Sequence, residues 1–191
     1  MLKMTCQILF LGSPLLMVAI AQGLCIKYNR LRWLRRPLDL DLRFRGKRIF
    51  GDHKTWRGLV INVAFCILGA RIQGWIQSNG LIASWLPLLD YSKDGGMLGL
   101  LLGLGVTAGE LPNSFLKRQL GISPGKRGKR VVGMAFFLFD QLDLAIGAWV
   151  FIYLIVKPSP YLILWSLVLT LVLHVMVSSV GYVLGMRKTI V

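Results

Sequence analysis

The sequence predicts an all-α integral membrane protein with five spanning helices, its N-terminus outside and its C-terminus inside. Three observations carry this expectation. Hydrophobic residues make up 55% of the chain, mean hydropathy is +0.63, and only 16% of residues are charged, well below the quarter usual in soluble domains. Several apolar runs approach or exceed the roughly 20 residues that a spanning helix needs. The basic residues gather in a few short segments, so the formal net charge of +15 belongs to aqueous loops. At 191 residues, a single membrane domain over 1–191 is expected.

The first span is expected at 5–26. Lys3 before it and Ala19 and Ala21 near its end imitate a signal peptide, but Lys27, Arg30, Arg32, Arg35 and Arg36 follow at once. Such charge resists translocation, so the segment reads as a retained helix. Residues 27–57 then form a cytoplasmic loop with eleven basic residues, opposed only by Asp39, Asp41 and Asp52. Pro37, Arg45-Gly46-Lys47 and Phe50-Gly51-Asp52 argue against a continuous helix in it. The second span, 58–77, contains Arg71, which has to snorkel to an interface. Trp85 and Tyr91 in the next connection suit an interfacial position.

The third span is expected at 95–112. Gly95, Gly99 and Gly103 lie four apart, as do Gly105 and Gly109, and small residues at this spacing permit close helix approach in lipid. Pro112 is expected to disturb the helix and open a second cytoplasmic loop, 113–130, with Lys117, Arg118, Lys126, Arg127, Lys129 and Arg130. The fourth and fifth spans are expected at 131–156 and 161–186, the last closed by Arg187 and Lys188. With five spans, nineteen basic residues fall on one side and only Lys3, Arg71, Lys93 and Lys157 on the other. The positive-inside bias makes the nineteen cytoplasmic.

Three carboxylates stand in these apolar segments: Glu110, Asp140 and Asp143. An ionisable group at such a position points to function by default. Asp140 and Asp143, three apart, share one helix face. At 1.5 Å per residue they lie about 15 and 20 Å along the helix from Arg130, and Glu110 about 10 Å from Lys117. All three are therefore expected to face one cavity open to the cytoplasm. Carboxylates beside cationic loops fit magnesium and phosphates, since Mg2+ is bound through one or two carboxylates together with substrate phosphate oxygens.

His53 and His174 have no partner evident in the sequence to make either a general base. That favours a reaction whose nucleophile is already an anion, in which positioning and charge stabilisation suffice. On the residues alone a transporter or ion pathway through the same carboxylates stays open, although the chain shows no internal repeat of the kind many transporters have. Cys6, Cys25 and Cys66 are scattered and make no zinc spacing. No nucleic-acid module accompanies the basic charge. Nothing in the residues specifies an oligomeric state.

Two blocks carry a resemblance. One runs from Pro37-Leu38-Asp39 through Phe44-Arg45-Gly46-Lys47-Arg48-Ile49-Phe50-Gly51-Asp52-His53-Lys54-Thr55-Trp56-Arg57-Gly58; the other joins Gly109 through Lys117-Arg118 to Asp140-Gln141-Leu142-Asp143. Together with the five-helix organisation they resemble the CDP-archaeol synthase family, relatives of the CDP-diacylglycerol synthases. The resemblance implies a magnesium-dependent cytidylyltransferase of the cell membrane, its active site facing the cytoplasm. CTP and a membrane lipid phosphate would be its substrates, and a CDP-activated lipid and pyrophosphate its products. By position it implies Asp140, Asp143 and Glu110 as metal ligands, Lys117 and Arg118 as catalytic cations, and Asn113 and Ser114 as phosphate-orienting groups. Lys47, Arg48, Lys54, Thr55, Trp56 and Arg57 would form a nucleotide-binding loop. The family pattern has Asp where Glu110 stands, and Arg-Arg where this chain has Arg118-Gln119. These departures leave open which lipid is used, ether- or ester-linked, archaeal or bacterial, and leave an inactive relative as an alternative.

Overall fold

The computed structural model describes residues 1–122 and 130–183. Lys126, Arg127 and Lys129 of the second basic loop, and Arg187 and Lys188 of the tail, lie outside the described residues. Among the described residues the helices are α1 (Leu2–Gly12), α2 (Pro14–Lys27), α3 (Trp56–Ser78), α4 (Tyr91–Gln119), α5 (Arg130–Ile152) and α6 (Pro160–Val183). α4 is central, packed on α3 along one side and on α5 along another; α2 lies against α3, and α6 bridges α5 and α1. By length and composition, Leu2–Lys27, Trp56–Ser78 and Tyr91–Gln119 are long and apolar enough to cross a membrane, and Pro160–Met176 is a shorter apolar stretch.

The glycine spacing of the third span works as expected. A Cβ on Gly99 would stand 2.4 Å from Ile67 Cα, and one on Gly103 2.6 Å from Val63 Cα, so α3 and α4 touch backbone to backbone. Around this seam Tyr91, Leu98, Leu102 and Val106 of α4 are buried with Cys66 of α3 and Ile152 of α5. Buried polar side chains pair across helices. Gln22 Nε2 donates to Asn62 Oδ1 at 2.5 Å, and Asn62 Nδ2 donates to Thr107 Oγ1 at 2.9 Å, linking α2, α3 and α4. Trp165 Nε1 donates to Thr5 Oγ1 at 2.8 Å between α6 and α1.

Three expectations need correction. The first span is broken at Ser13 into α1 and α2, because Pro14 cannot donate a backbone N–H. Gln73 of α3 answers the break, its Nε2 donating to the Phe10 carbonyl and, at 2.9 Å, to Ser13 Oγ. The third span does not stop at Pro112. It starts at Tyr91, where Asp90 caps it by accepting from Ser92 N at 3.1 Å, and it continues to Gln119. Pro112 withholds one N–H from the carbonyl four residues back, a loss that side-chain ties beyond it outweigh. Asn113 and Ser114 therefore lie on a helix, not in a loop. Finally, α5, the helix in the region of the expected fourth span, ends at Ile152, four residues earlier than expected.

Candidate active site

The 27–57 loop is folded around one carboxylate. It contains a 3-10 turn at Arg32–Leu34 and a hairpin in which β1 (Arg43–Phe44) pairs antiparallel with β2 (Lys47–Arg48). Pro37 bridges to Thr55, which joins the loop's two ends. Asp39 is 3% exposed and accepts from Arg48 Nη2 at 2.6 Å, from the N–H groups of Phe50 and Gly51 at 3.0 Å each, and from that of Asp41 at 3.2 Å. Arg48 also reaches Asp41 at 2.5 Å and Asp52 at 3.1 Å. Burial pushes the Asp39 carboxyl upward, but the Arg48 guanidinium and the three N–H groups outweigh it and hold the group at about 2, below its ordinary 3.8.

A carboxyl whose folded value lies below its unfolded one contributes stability above its unfolded value and loses it on acidification. For Asp39 that contribution is complete above about pH 4, fades toward pH 2 and is worth about 2 kcal/mol. Thermal unfolding at pH 7 and pH 2.5 should thus show a smaller acid-induced loss in Asp39→Asn than in wild type, the variant being already less stable at pH 7.

From this frame, side chains reach α4. The Phe44 and Phe115 rings lie 5.8 Å apart, Lys47 Nζ donates to the Gln119 carbonyl at 2.5 Å, and Lys54 forms an ion pair with Glu110. These ties lay the hairpin over the C-terminal end of α4, where Lys117 and Arg118 also sit.

α5 supplies the rest. Asn113 Nδ2 donates to Asp140 Oδ1 at 2.6 Å and to Asp143 Oδ2 at 2.9 Å, so one amide joins the two carboxylates. Lys117 pairs with Asp140. Asn113 and Lys117, four apart on a helix, share the face that meets α5. The approach is possible because both helices carry glycine at their crossing. A Cβ on Gly109 would stand 2.1 Å from the Asp143 carbonyl oxygen, and one on Gly147 2.5 Å from Gly109 Cα. Two polar atoms remain buried without a hydrogen-bond partner on the Arg118 side chain, Nε and Nη1, and one on Asn113, Oδ1.

Beside the amide, a cleft of about 300 Å³ opens between α4 and α5. Its wall is apolar, with Pro112, Leu116, Phe139, Ile146, Val150 and Phe151, and only Asn113 and Asp143 bring polar groups to it. An apolar groove ending on an amide and a carboxylate can take a molecule with a hydrocarbon body and a polar head.

The structure brings Asn113, Lys117, Asp140 and Asp143 together, and Lys54 with Glu110. Among the described residues no three acidic, His or Cys side chains gather at metal-ligand distance, so Glu110 does not complete a triad with the two aspartates. Of the other loop residues, Arg48 is held by Asp39, Asp41 and Asp52. Thr55 caps α3 by accepting from Gly58 N at 3.3 Å, and Trp56 is 40% exposed. Arg57 Nη1 donates to the Arg30 carbonyl at 3.5 Å, and Ser114 is half-buried. Sequence reasoning did not single out Asp39 as the loop's centre, nor Gly147. The signal for Gly147 was present: it follows Asp143 by one helical turn, opposite the Gly105–Gly109 pair.

Comparison with known proteins agrees with this architecture. The family model described as CarS-like, CDP-archaeol synthase, matches residues 33–190. The CDP-archaeol synthase of Methanosarcina barkeri is 33% identical over 165 residues, covering 80% of this chain and 89% of the relative. That of Methanosphaerula palustris is 34% identical over 158 residues, covering 79% and 87%. A solved structure described as an intramembrane enzyme for archaeal membrane lipids biosynthesis superposes with a TM-score of 0.62 at 24% identity, over 88% of this chain and 90% of its own, and so shares the fold. On this identity and coverage, the chain belongs to the CDP-archaeol synthase family.

Proposed function

We propose that this protein transfers CMP from CTP to a membrane lipid phosphate, giving a CDP-activated lipid and pyrophosphate, with Mg2+ as its cofactor. The observation that carries the reading is Asn113 joining Asp140 and Asp143 at the polar end of an apolar cleft, with lysines on the neighbouring carboxylates. The relatives are CDP-archaeol synthases, so the acceptor is an ether-linked lipid phosphate of the archaetidic-acid type, its chains along the α4–α5 cleft. Five spans form one membrane domain, with the N-terminus out and the 27–57 and second basic loops facing the cytoplasm and its CTP.

In this reaction an oxygen of the lipid phosphate monoester attacks the α-phosphorus of CTP. The new P–O bond forms as the bond to the β-phosphate breaks, and the electron pair leaves with pyrophosphate. The nucleophile is already anionic, so no side chain has to remove a proton. Catalysis rests on orientation and on opposing negative charge. Lys54 and Lys117 neutralise Glu110 and Asp140 in the absence of substrate and turn to phosphate oxygens when CTP arrives. Arg118 has two buried N–H donors to offer without giving up a partner. Ser114, Lys47 and Arg57 complete the nucleotide's surroundings, while Arg48 and Thr55 keep the loop and the start of α3 in shape.

Asp140 and Asp143, two carboxylates drawn together by one amide, would hold Mg2+ through hard oxygen ligands, with substrate phosphate oxygens completing the set. The bound ion would neutralise phosphate charge and polarise the phosphoryl group. Glu110 serves Lys54 instead, which gives the residue a role despite its departure from the family's Asp.

Purified protein given CTP, Mg2+ and a panel of ether- and ester-linked lipid phosphates should yield the CDP-ether lipid, identified by mass spectrometry. No product from any acceptor, with folded protein, would contradict the reading. Lys117→Ala is expected to raise the KM for CTP by roughly ten-fold or more, the value of one hydrogen bond to a charged group. Steady-state kinetics at saturating lipid phosphate measures it, and an unchanged KM would remove the residue from the phosphate site.

A further inference from the structure

The segment between the end of α2 and Pro37 takes no part in the chemistry above, yet it is the most cationic short stretch described. Lys27, Arg30, Arg32, Arg35 and Arg36 fall within ten residues with no acidic residue among them. Among the described residues none of the five pairs with a carboxylate. Arg32 is held by its neighbour Asn29, Nε donating to the Asn29 carbonyl at 3.3 Å, and Lys27 Nζ lies 5.4 Å from the centre of the neighbouring Tyr28 ring. Apolar and aromatic side chains are interleaved with this charge and left open: Trp33 is 73% exposed, Tyr28 59% and Leu31 37%. Trp33, Leu34, Arg36 and Trp56 together line an open cleft of about 340 Å³.

The patch is held in place rather than trailing. Asn29 and Leu31 adopt left-handed φ values of 49° and 54°, which turn the chain back on itself. Trp56 N donates to the Arg36 carbonyl at 3.0 Å, and Arg57 Nη1 reaches the Arg30 carbonyl. The cleft is thereby fixed to the first turn of α3, at the level where a spanning segment begins. Indole rings favour that level of a bilayer, and clustered Lys and Arg next to a span attract anionic headgroups.

We propose that residues 27–36, with the Trp33–Trp56 cleft, dock the anionic headgroups of bulk membrane lipid. The complementarity is one of charge and depth: unpaired guanidinium groups meet phosphate oxygens while the indoles enter the headgroup layer. Docking seats the 37–57 loop, with Lys47 and Lys54, on the membrane surface. The proposal stands independently of cytidylyl transfer, because it concerns lipid that is not consumed.

The test uses the full chain reconstituted in lipid nanodiscs made with brominated phosphatidylglycerol or, separately, brominated phosphatidylcholine. Fluorescence lost between wild type and Trp33→Phe isolates the Trp33 signal. The anionic brominated lipid is expected to quench that signal about three-fold more than the zwitterionic one at low salt, with the difference shrinking as ionic strength rises. The double variant Arg35→Gln/Arg36→Gln should lose the preference while binding CTP as wild type does. Equal quenching by the two lipids, or quenching by neither, would overturn the proposal. Relief of quenching by added CTP would also overturn it, by assigning the cleft to the nucleotide.

Discussion

Replacing Asp143 with Asn is expected to lower CDP-lipid formation by about a hundred- to a thousand-fold, the range seen when one group that stabilises transition-state charge is removed. The substitution keeps the size of the side chain. It also keeps an oxygen for the Leu144 N–H, which Asp143 Oδ1 accepts at 2.7 Å, so the α4–α5 crossing should survive. What disappears is one of the two anions that Asn113 draws together. Asp140→Asn should act in the same direction and also release Lys117 from its ion pair. Initial rates at saturating CTP and lipid phosphate, with matched thermal melting curves, separate lost chemistry from lost fold. A rate within two-fold of wild type in either variant would remove that aspartate from the reacting centre, since a two-fold change is well under 1 kcal/mol.

Among the described glycines, Gly109→Ala is expected to be the most damaging single added methyl group. Its Cβ would sit 2.1 Å from the Asp143 carbonyl oxygen and 2.9 Å from Gly147 Cα, both backbone atoms that no rotamer change can move. The two helices must separate, at a cost of about 1–3 kcal/mol or more for overpacking. The same separation draws Asp143 away from Asn113. A shift of about 1 Å at a reacting centre costs on the order of a hundred-fold in rate. Activity should therefore fall further than the melting temperature alone would suggest. Gly12→Ala is the matched control, because a Cβ there meets nothing within 4 Å, and it should leave both quantities near wild type.

Much of the helical architecture was legible in the chain because the length of the apolar runs writes it plainly. α3, α5 and α6 start within two residues of the expected spans, and the four-residue glycine spacing marked the face of α4 that meets α3. Proline was harder to read. Pro14 breaks a run that hydropathy shows as continuous, whereas Pro112 fails to break one. The difference lies in tertiary partners: beyond Pro112, Asn113 and Lys117 are tied to α5 across 27 and 23 residues of sequence. The loop was illegible for a related reason. Its turns place Leu40 and Arg45 at positive φ beside Asp41, and Leu and Arg give little notice of that conformation. Its centre, Asp39, is in sequence one of three acids opposing eleven cations, and nothing local marks it as the one on which Arg48 and the Phe50 and Gly51 amides converge. At the site, the two aspartates were legible from their spacing. The pairing of Glu110 with Lys54, 56 residues apart, was not.

The most direct measurement follows the fate of the phosphorus atoms. Purified protein in nanodiscs receives an ether-linked lipid phosphate, Mg2+, and CTP labelled at the α-phosphorus or, in a parallel reaction, at the γ-phosphorus. Label from the α position should enter the lipid fraction and label from the γ position should appear in pyrophosphate, both about a hundred-fold or more slower in Asp140→Asn or Asp143→Asn protein. Label from the γ position in the lipid, or α label that stays in water-soluble nucleotide while the folded protein binds CTP, would contradict cytidylyl transfer at this site.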